Sequence, residues 1–287
     1  MPQSNLRVGV IGLGALGRPI GELLLKAGYR TAVYDVRSEP ARELGALGAT
    51  VCASPAAVAQ HSDLIISLVS DAAQTDAVVS GQGGILETLR PGAIFATGST
   101  LGPAPVKRIA QQIAARGGAT LDMPISGGII AAREGALSLM VGGAAATLQQ
   151  ALPVFRVFAR DITHTGEVGS GQAAKLAHQL VFSVNVMALL EGLSLGVAGG
   201  VAPEVLMNVL KQGLANSTVL QVWHDLGPRW KGMLRAAAPG APLPNMRKDL
   251  HLVLELAQEL GVELHISGNA SRVADAGIAT GHDNSLI

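Results

Sequence analysis

Between residues 6 and 165, short β-branched apolar runs alternate with stretches whose apolar positions recur at helical spacing. The runs "RVGVIG", "RTAVYD", "DLIISLV", "AIFATG" and "ATLDMP" read as strands, and their near-continuous apolar character suits strands covered on both faces. Between the first two lies "RPIGELLLKAG", which carries a helical apolar stripe and stops at Gly28, where a glycine closes many helices. The first strand–helix–strand unit therefore spans about 6 to 36. This rhythm predicts a mainly parallel sheet wound on both faces by helices.

After "THTGEVGSG", rich in polar and glycine breakers, the pattern changes. "QAAKLAHQLVFSVNVMALLEGLSLGVAGG" predicts one long helix over about 170–199, apolar nearly all round, as expected of a helix buried between two domains. Lys175, His178, Gln179, Asn185 and Glu191 interrupt it, which argues against a membrane span. "APEVLMNVLKQG", "NMRKDLHLVLELAQELG" and "GNASRVADAGIATG" also have helical spacing, with "PGAPLP" as an irregular connector. The expected division is a sheet-containing domain over 1–165 and an all-helical domain over 166–287.

Composition narrows the function classes. Lysine plus arginine and aspartate plus glutamate each number 21, so no net positive field draws a polyanion, and aromatic residues at 3% leave few surfaces for stacking bases. Nucleic acid is not an expected partner. Cys52 is the single cysteine, which excludes an internal disulfide or a cysteine-based zinc cluster, and no metal is expected. Five residues precede the first apolar run, too few for a cleaved secretory signal, so a soluble cytoplasmic protein is expected.

Chemistry enters with "VGVIGLGALGRPIG" at 8–21. A strand running through Gly12-x-Gly14-x-x-Gly17 into a helix brings backbone N–H groups and a positive helix end against a pyrophosphate. From the spacing, Gly12 makes the turn, Gly14 admits the phosphates and Gly17 lets helix and strand pack closely; Leu13, Ala15 and Leu16 complete the loop. The second strand ends in Asp35, whose carboxylate can accept hydrogen bonds from the adenosine ribose. That favours NAD, with NADP as the alternative because the guanidinium of Arg37 could meet a 2′-phosphate.

Four further stretches follow in order: "GSTLGP" (98–103), "DMPISGG" (122–128), "GSGQAAK" (169–175) and "KDL" (248–250). With the glycine loop they resemble, nearly end to end, the β-hydroxyacid dehydrogenases, the family of 3-hydroxyisobutyrate dehydrogenase, tartronate semialdehyde reductase and the glyoxylate and succinic semialdehyde reductases. The resemblance implies a doubly wound, mainly parallel Rossmann domain, a long interdomain helix and an all-α C-terminal domain. It also implies a catalytic lysine, Lys175, and a homodimer or homotetramer.

The same resemblance places Ser126, Gly127 and Gly128 at a small substrate's carboxylate. It sets Ser99 and Thr100 near nicotinamide and substrate, Thr100 touching both, Leu68, Val69 and Ser70 near the nicotinamide, and Lys248 over cofactor or substrate. Ser99 and Thr100 could at the same time serve as helix N-caps, and Lys248 could be an ordinary exposed lysine. Many relatives carry asparagine three or four positions after the lysine, where this chain has His178 and Gln179. Gln179, on the turn after Lys175, keeps an amide for substrate, and His178 adds an imidazole able to carry a proton. "VSD" (69–71) lacks the family's proline and Thr97-Gly98 stands where Asp-Met is usual, so the nicotinamide wall is expected to differ.

The expected reaction is NAD(P)-dependent interconversion of a small 3-hydroxy acid and its semialdehyde or keto acid, with Lys175 exchanging the hydroxyl proton. An imine reductase-like enzyme, which would usually lack the lysine, and a non-catalytic cofactor-binding scaffold are the alternatives.

Overall fold

The computed structural model describes residues 6–221 and 242–279. The chain divides into two compact units, Met1–Lys175 and Leu176–Ile287. The first begins β1 (Val8–Ile11), α1 (Gly17–Lys26), β2 (Thr31–Tyr34), α2 (Ser38–Ala46), β3 (Thr50–Val51), α3 (Pro55–Gln60) and β4 (Leu64–Ser67). It continues α4 (Ala72–Ser80), β5 (Ile94–Thr97), α5 (Pro103–Ala114), β6 (Ala119–Asp122), β7 (Ile125–Ser126), α6 (Gly128–Glu134), β8 (Leu137–Gly142), α7 (Ala145–Phe155) and β9 (Ala159–Gly166). The described remainder is helical: α8 (Ser170–Ala198), α9 (Pro203–Gln212), α10 (Pro242–Leu260) and α11 (His265–Ala279).

The sheet order is β3-β2-β1-β4-β5-β6-β8-β7, with β9 paired to β8. The first six strands are parallel; β8 runs antiparallel to β6 and β7, and β9 is parallel to β8. All five predicted strands are present as β1, β2, β4, β5 and β6. Four others were not predicted: β3 and β7 have two residues each, β9, "ARDITHTG", is mostly polar, and β8, "LSLMVG", was missed although its burial alternates as a strand's should.

Alternation builds a core on each face of the sheet. Leu64, Ile66, Ile94 and Ala96 join one cluster, while Ile65 and Phe95 join the other. Each fully buried Ile, Leu or Phe side chain contributes roughly 1.5–3 kcal/mol through removal from water.

In the second unit, Val186 and Met187 of α8 pack with Leu243, Met246 and Leu250 of α10 and with Ala270 and Ala274 of α11. The predicted connector "PGAPLP" needs correction in part. Pro242, Leu243 and Pro244 form the first turn of α10, where a missing proline N–H costs nothing, while 239–241 lie outside the described residues. Burial of α8 is also less complete than its composition suggested: Leu195 is 77% and Val197 45% exposed. Among the described residues, α8 alone is long and apolar enough, by length and composition, to cross a membrane.

Candidate active site

β1 delivers the chain into the glycine loop. Gly12 has a φ of +88°, left-handed backbone that a side chain would strain, and its N–H donates to the Tyr34 carbonyl at 3.0 Å. A Cβ at Gly17 would lie 1.8 Å from the Gly12 carbonyl oxygen, so only glycine lets α1 start this close to β1. Around Gly14 nothing lies within 4 Å of where a Cβ would be. That open space lies beside the N-terminus of α1, whose Leu16 N-cap provides no side-chain cap and whose first turn carries no acidic residue. A bare backbone at a positive helix end is the cradle a pyrophosphate requires. Leu13 is buried and Ala15 is exposed in the same loop.

Asp35 follows β2 directly. Its Oδ2 accepts the Leu13 N–H at 2.7 Å, which ties the carboxylate to the glycine loop, and its Oδ1 accepts the Arg37 N–H at 2.8 Å and Nε at 3.1 Å. Burial alone would raise this carboxyl's pKa, but the Arg37 guanidinium and the two backbone N–H groups outweigh it and hold the group below its ordinary value. Asp35 is therefore an anion at neutral pH, as a ribose-hydroxyl acceptor must be. The Arg37 side chain, 53% exposed, pairs with Asp35 at the rim. The residues present fit a nicotinamide dinucleotide.

Leu68, Val69 and Ser70 leave β4 beside Gly12: the Leu68 N–H donates to the Ile11 carbonyl at 2.8 Å. The loop without proline is closed by Asp71, which caps α4 by accepting the Gln74 N–H at 2.8 Å, while Gln74 Oε1 accepts the Ser70 N–H at 3.1 Å. Ser99 is buried and its Oγ donates to the Val69 carbonyl at 2.6 Å, joining this loop to the one after β5. The N-cap of α5 is Gly102, so neither Ser99 nor Thr100 caps that helix. A Cβ at Gly98 would lie 2.6 Å from Leu68 Cδ2 and 3.0 Å from Ile125 Cδ1, so the glycine leaves room for the ends of these two side chains. Ser126 ends β7, and Gly127 and Gly128 lead into α6, with open space beside Gly128.

Lys175 lies near the start of α8 and is 7% exposed. Two neighbours of that turn were missed as functional candidates although both stand in the quoted motifs. Asp122, at the end of β6, is fully buried; its Oδ1 accepts the Gly169 N–H at 2.7 Å and its Oδ2 the Gln172 N–H at 2.8 Å. Burial pushes its carboxyl pKa up, only partly offset by those N–H donors. Gln172, also fully buried, accepts the Leu101 and Gly102 N–H groups through Oε1 at 2.9 and 3.2 Å and donates Nε2 to the Ser99 carbonyl at 2.9 Å.

In the second unit the structure joins Gln179, His178 and Lys248 through Asp249, a buried residue that sequence reasoning also missed. Gln179 Nε2 donates to Asp249 Oδ2 at 2.5 Å and Lys248 Nζ to Oδ1 at 2.8 Å, while Gln179 Oε1 and His178 Nδ1 lie 3.1 Å apart. Its signal was available, since Asp249 is the middle residue of "KDL". Among the described residues, no three His, Cys, Asp or Glu side chains form a group able to hold a metal. Burial raises the pKa of the Cys52 thiol, which reduces its thiolate fraction.

Comparison with known proteins identifies the family. Residues 7–166 match the NAD binding domain of 6-phosphogluconate dehydrogenase, and residues 169–285 match the family described as NAD-binding of NADP-dependent 3-hydroxyisobutyrate dehydrogenase. The chain is 30% identical over 280 residues to 2-(hydroxymethyl)glutarate dehydrogenase of Eubacterium barkeri, covering 97% of this chain and 91% of that one. It is 34% identical over 259 residues to 2-hydroxy-3-oxopropionate reductase of Escherichia coli K12, covering 90% and 87%. Among solved structures, Mycobacterium tuberculosis 3-hydroxyisobutyrate dehydrogenase with L-serine superposes with a TM-score of 0.85 at 25% identity, covering 99% of this chain and 98% of that one. Glycine cradle, second-strand carboxylate, buried lysine and the two matched domain models converge: the chain belongs to the β-hydroxyacid dehydrogenases, a family of NAD(P)-dependent oxidoreductases.

Proposed function

We propose that this protein oxidises the primary alcohol of a small 2-substituted 3-hydroxypropanoate, or reduces the matching semialdehyde, with NAD(P). The observation that carries this reading is a buried lysine, Lys175, in the same compact unit as the open glycine cradle and Asp35. The names of the relatives share one chemistry. Hydroxymethylglutarate, 3-hydroxyisobutyrate and L-serine each carry a CH2OH group on the carbon bearing the carboxylate, and 2-hydroxy-3-oxopropionate is the aldehyde of such an acid.

When bound, the nicotinamide supplies a hydride acceptor or donor. The chain's own residues do the rest. The N–H groups of the 12–17 loop hold the pyrophosphate and Asp35 the adenosine ribose, with NAD preferred and NADP the alternative through Arg37. Leu68, Val69 and Ser70, with Ser99 and Thr100, wall the nicotinamide. The Lys175 amine takes the hydroxyl proton as the alcohol becomes a carbonyl and returns it in the opposite direction. Ser126, Gly127 and Gly128 bind the substrate carboxylate through the hydroxyl and backbone N–H groups. Gln179 and His178 are assigned to the variable substituent, and Lys248 to the cofactor or carboxylate.

The protein acts as a soluble cytoplasmic homo-oligomer in this reading. Leu195, Val197, Val205 and Val209 leave apolar surface on α8 and α9 for a second copy to cover. A spectrophotometric screen of small hydroxy acids and semialdehydes with each coenzyme tests the reaction. Turnover is expected with 3-hydroxyisobutyrate, L-serine or a close analogue, and absence of turnover across the whole class refutes it. Light scattering of the purified protein tests the oligomer; a monomer refutes that part alone.

A further inference from the structure

We propose that Asp122 and Gln172 form a clasp that positions Lys175, locking the first turn of α8 to β6 and to the loop after β5. The proposal rests on the reading of Lys175 as the proton-exchanging group.

The first N–H groups at a helix start have no partner within the helix. Here two of them, from Gly169 and Gln172, are taken by the carboxylate of Asp122, which reaches them from another strand at 2.7 and 2.8 Å. Gln172 then binds the Ser99 carbonyl and the N–H groups of Leu101 and Gly102, so one buried amide ties that turn to the loop carrying Ser99 and Thr100. Lys175 follows Gln172 at i+3 on α8, on the neighbouring turn of the same side. The turn has no slack, since a Cβ at Gly171 would lie 2.4 Å from the Met140 carbonyl oxygen and 2.7 Å from Asp122 Oδ2. Any shift of this turn carries the amine with it.

The chemistry of the clasp is specific to side-chain type. Both Asp122 oxygens accept, so an asparagine must present an N–H to one of the two N–H donors. Gln172 both accepts and donates, so a glutamate sets an oxygen against the Ser99 carbonyl until it is protonated and can donate. A residue needed only for folding would alter stability and leave turnover of the folded enzyme alone. A positioning residue alters turnover while coenzyme affinity, supplied chiefly by the 12–17 loop and Asp35, falls far less than kcat.

The test uses wild type, Asp122→Asn and Gln172→Glu as full chains, each confirmed folded by circular dichroism. The first arm is hydrogen exchange of the protein without coenzyme. Peptides over 99–102 and 169–174 should exchange about tenfold faster in both variants, with peptides over β1 and β2 unchanged. The second arm measures kcat and coenzyme Kd with 3-hydroxyisobutyrate and L-serine as probes. Asp122→Asn should lower kcat about 30-fold, as expected for a displacement below about 1 Å, with coenzyme Kd within about twofold. Gln172→Glu should recover toward wild type as the pH falls. Unchanged exchange, or faster exchange with unchanged kcat, overturns the clasp. Loss of coenzyme affinity equal to the loss of kcat also overturns it. If the wild type turns over neither probe nor any other member of the class, the proposed reaction fails instead, and the exchange arm still decides whether the clasp holds this turn.

Discussion

Gly14 and Gly17 belong to one motif, yet the structure predicts opposite phenotypes for alanine at the two positions. At Gly17 the new Cβ would sit 1.8 Å from the Gly12 carbonyl oxygen and 2.9 Å from its carbon, both rigid backbone. Since real contacts of this kind do not fall under 3.0 Å, α1 must move away from β1 by about 1.2 Å. Overpacking of this kind costs up to about 3 kcal/mol, or roughly 6–12 °C in Tm for a unit of this size. At Gly14 no atom lies within 4 Å and φ is not positive, so alanine is accommodated and removes unfolded-state entropy. Gly14→Ala should therefore raise Tm slightly, by about 1–4 °C. Its methyl group, however, fills the space assigned to the pyrophosphate. Loss of two charge-assisted N–H bonds at about 1.5 kcal/mol each comes to about 3 kcal/mol, or roughly 100-fold in coenzyme Kd. Thermal melts and calorimetric titration with NAD and NADP measure both quantities. Wild-type coenzyme affinity in Gly14→Ala, or equal destabilisation by the two substitutions, would refute the assignment of the cradle.

Other expectations follow from the same geometry. Lys175→Ala should lower kcat by about 10²–10⁴-fold with coenzyme Kd nearly unchanged, measured by steady-state kinetics and titration. Asp35→Ala should weaken NAD by about tenfold and NADP less, because the lost carboxylate accepts from the ribose but repels a 2′-phosphate; equal loss for both coenzymes in calorimetry would count against it. Asp63, bound by Arg7 at 3.0 Å and by Arg90 at 2.8 Å, is held well below the usual carboxylate pKa, the Arg7 bond being the largest cause. Because the folded value lies below the unfolded one, its stabilisation is present above about pH 4 and fades as the pH falls. Asp63→Asn should cost about 1–2 kcal/mol at pH 7, after allowing for solvent screening, and the gap to wild type should narrow in denaturant melts taken toward pH 2.

The parallel half of the sheet was legible because a strand covered on both faces must be apolar at nearly every position, and β1, β4 and β5 are. The antiparallel extension was not. β7 is too short to show a period, and β9, parallel to β8, has a polar character that reads as loop; β8 itself, "LSLMVG", has the alternation of a strand and was simply missed. At the site, the glycine loop declared itself because its steric requirement is local: Gly12, Gly14 and Gly17 lie within six residues. Asp122 and Gln172 did not, since their hydrogen bonds form only once β6, the loop after β5 and the start of α8 meet, between residues 47 to 73 positions apart. Asp249 was hidden for the same reason: in "KDL" the eye goes to the lysine, while the structure gives the shared partner role to the carboxylate. The clean apolar composition of α8 also misled in part, because apolar surface such as Leu195 can be left for a partner as well as buried at home.

Isotope transfer tests the central claim most directly. Wild type and Lys175→Ala are incubated with NAD or NADP and with 3-hydroxyisobutyrate, L-serine and their close analogues carrying deuterium on the carbinol carbon, and the reduced coenzyme is weighed by mass spectrometry. The account predicts deuterium on the coenzyme with at least one probe in the wild type, formed about 100-fold more slowly in the variant. An unlabelled coenzyme with every probe, or equal rates in the two proteins, would contradict it.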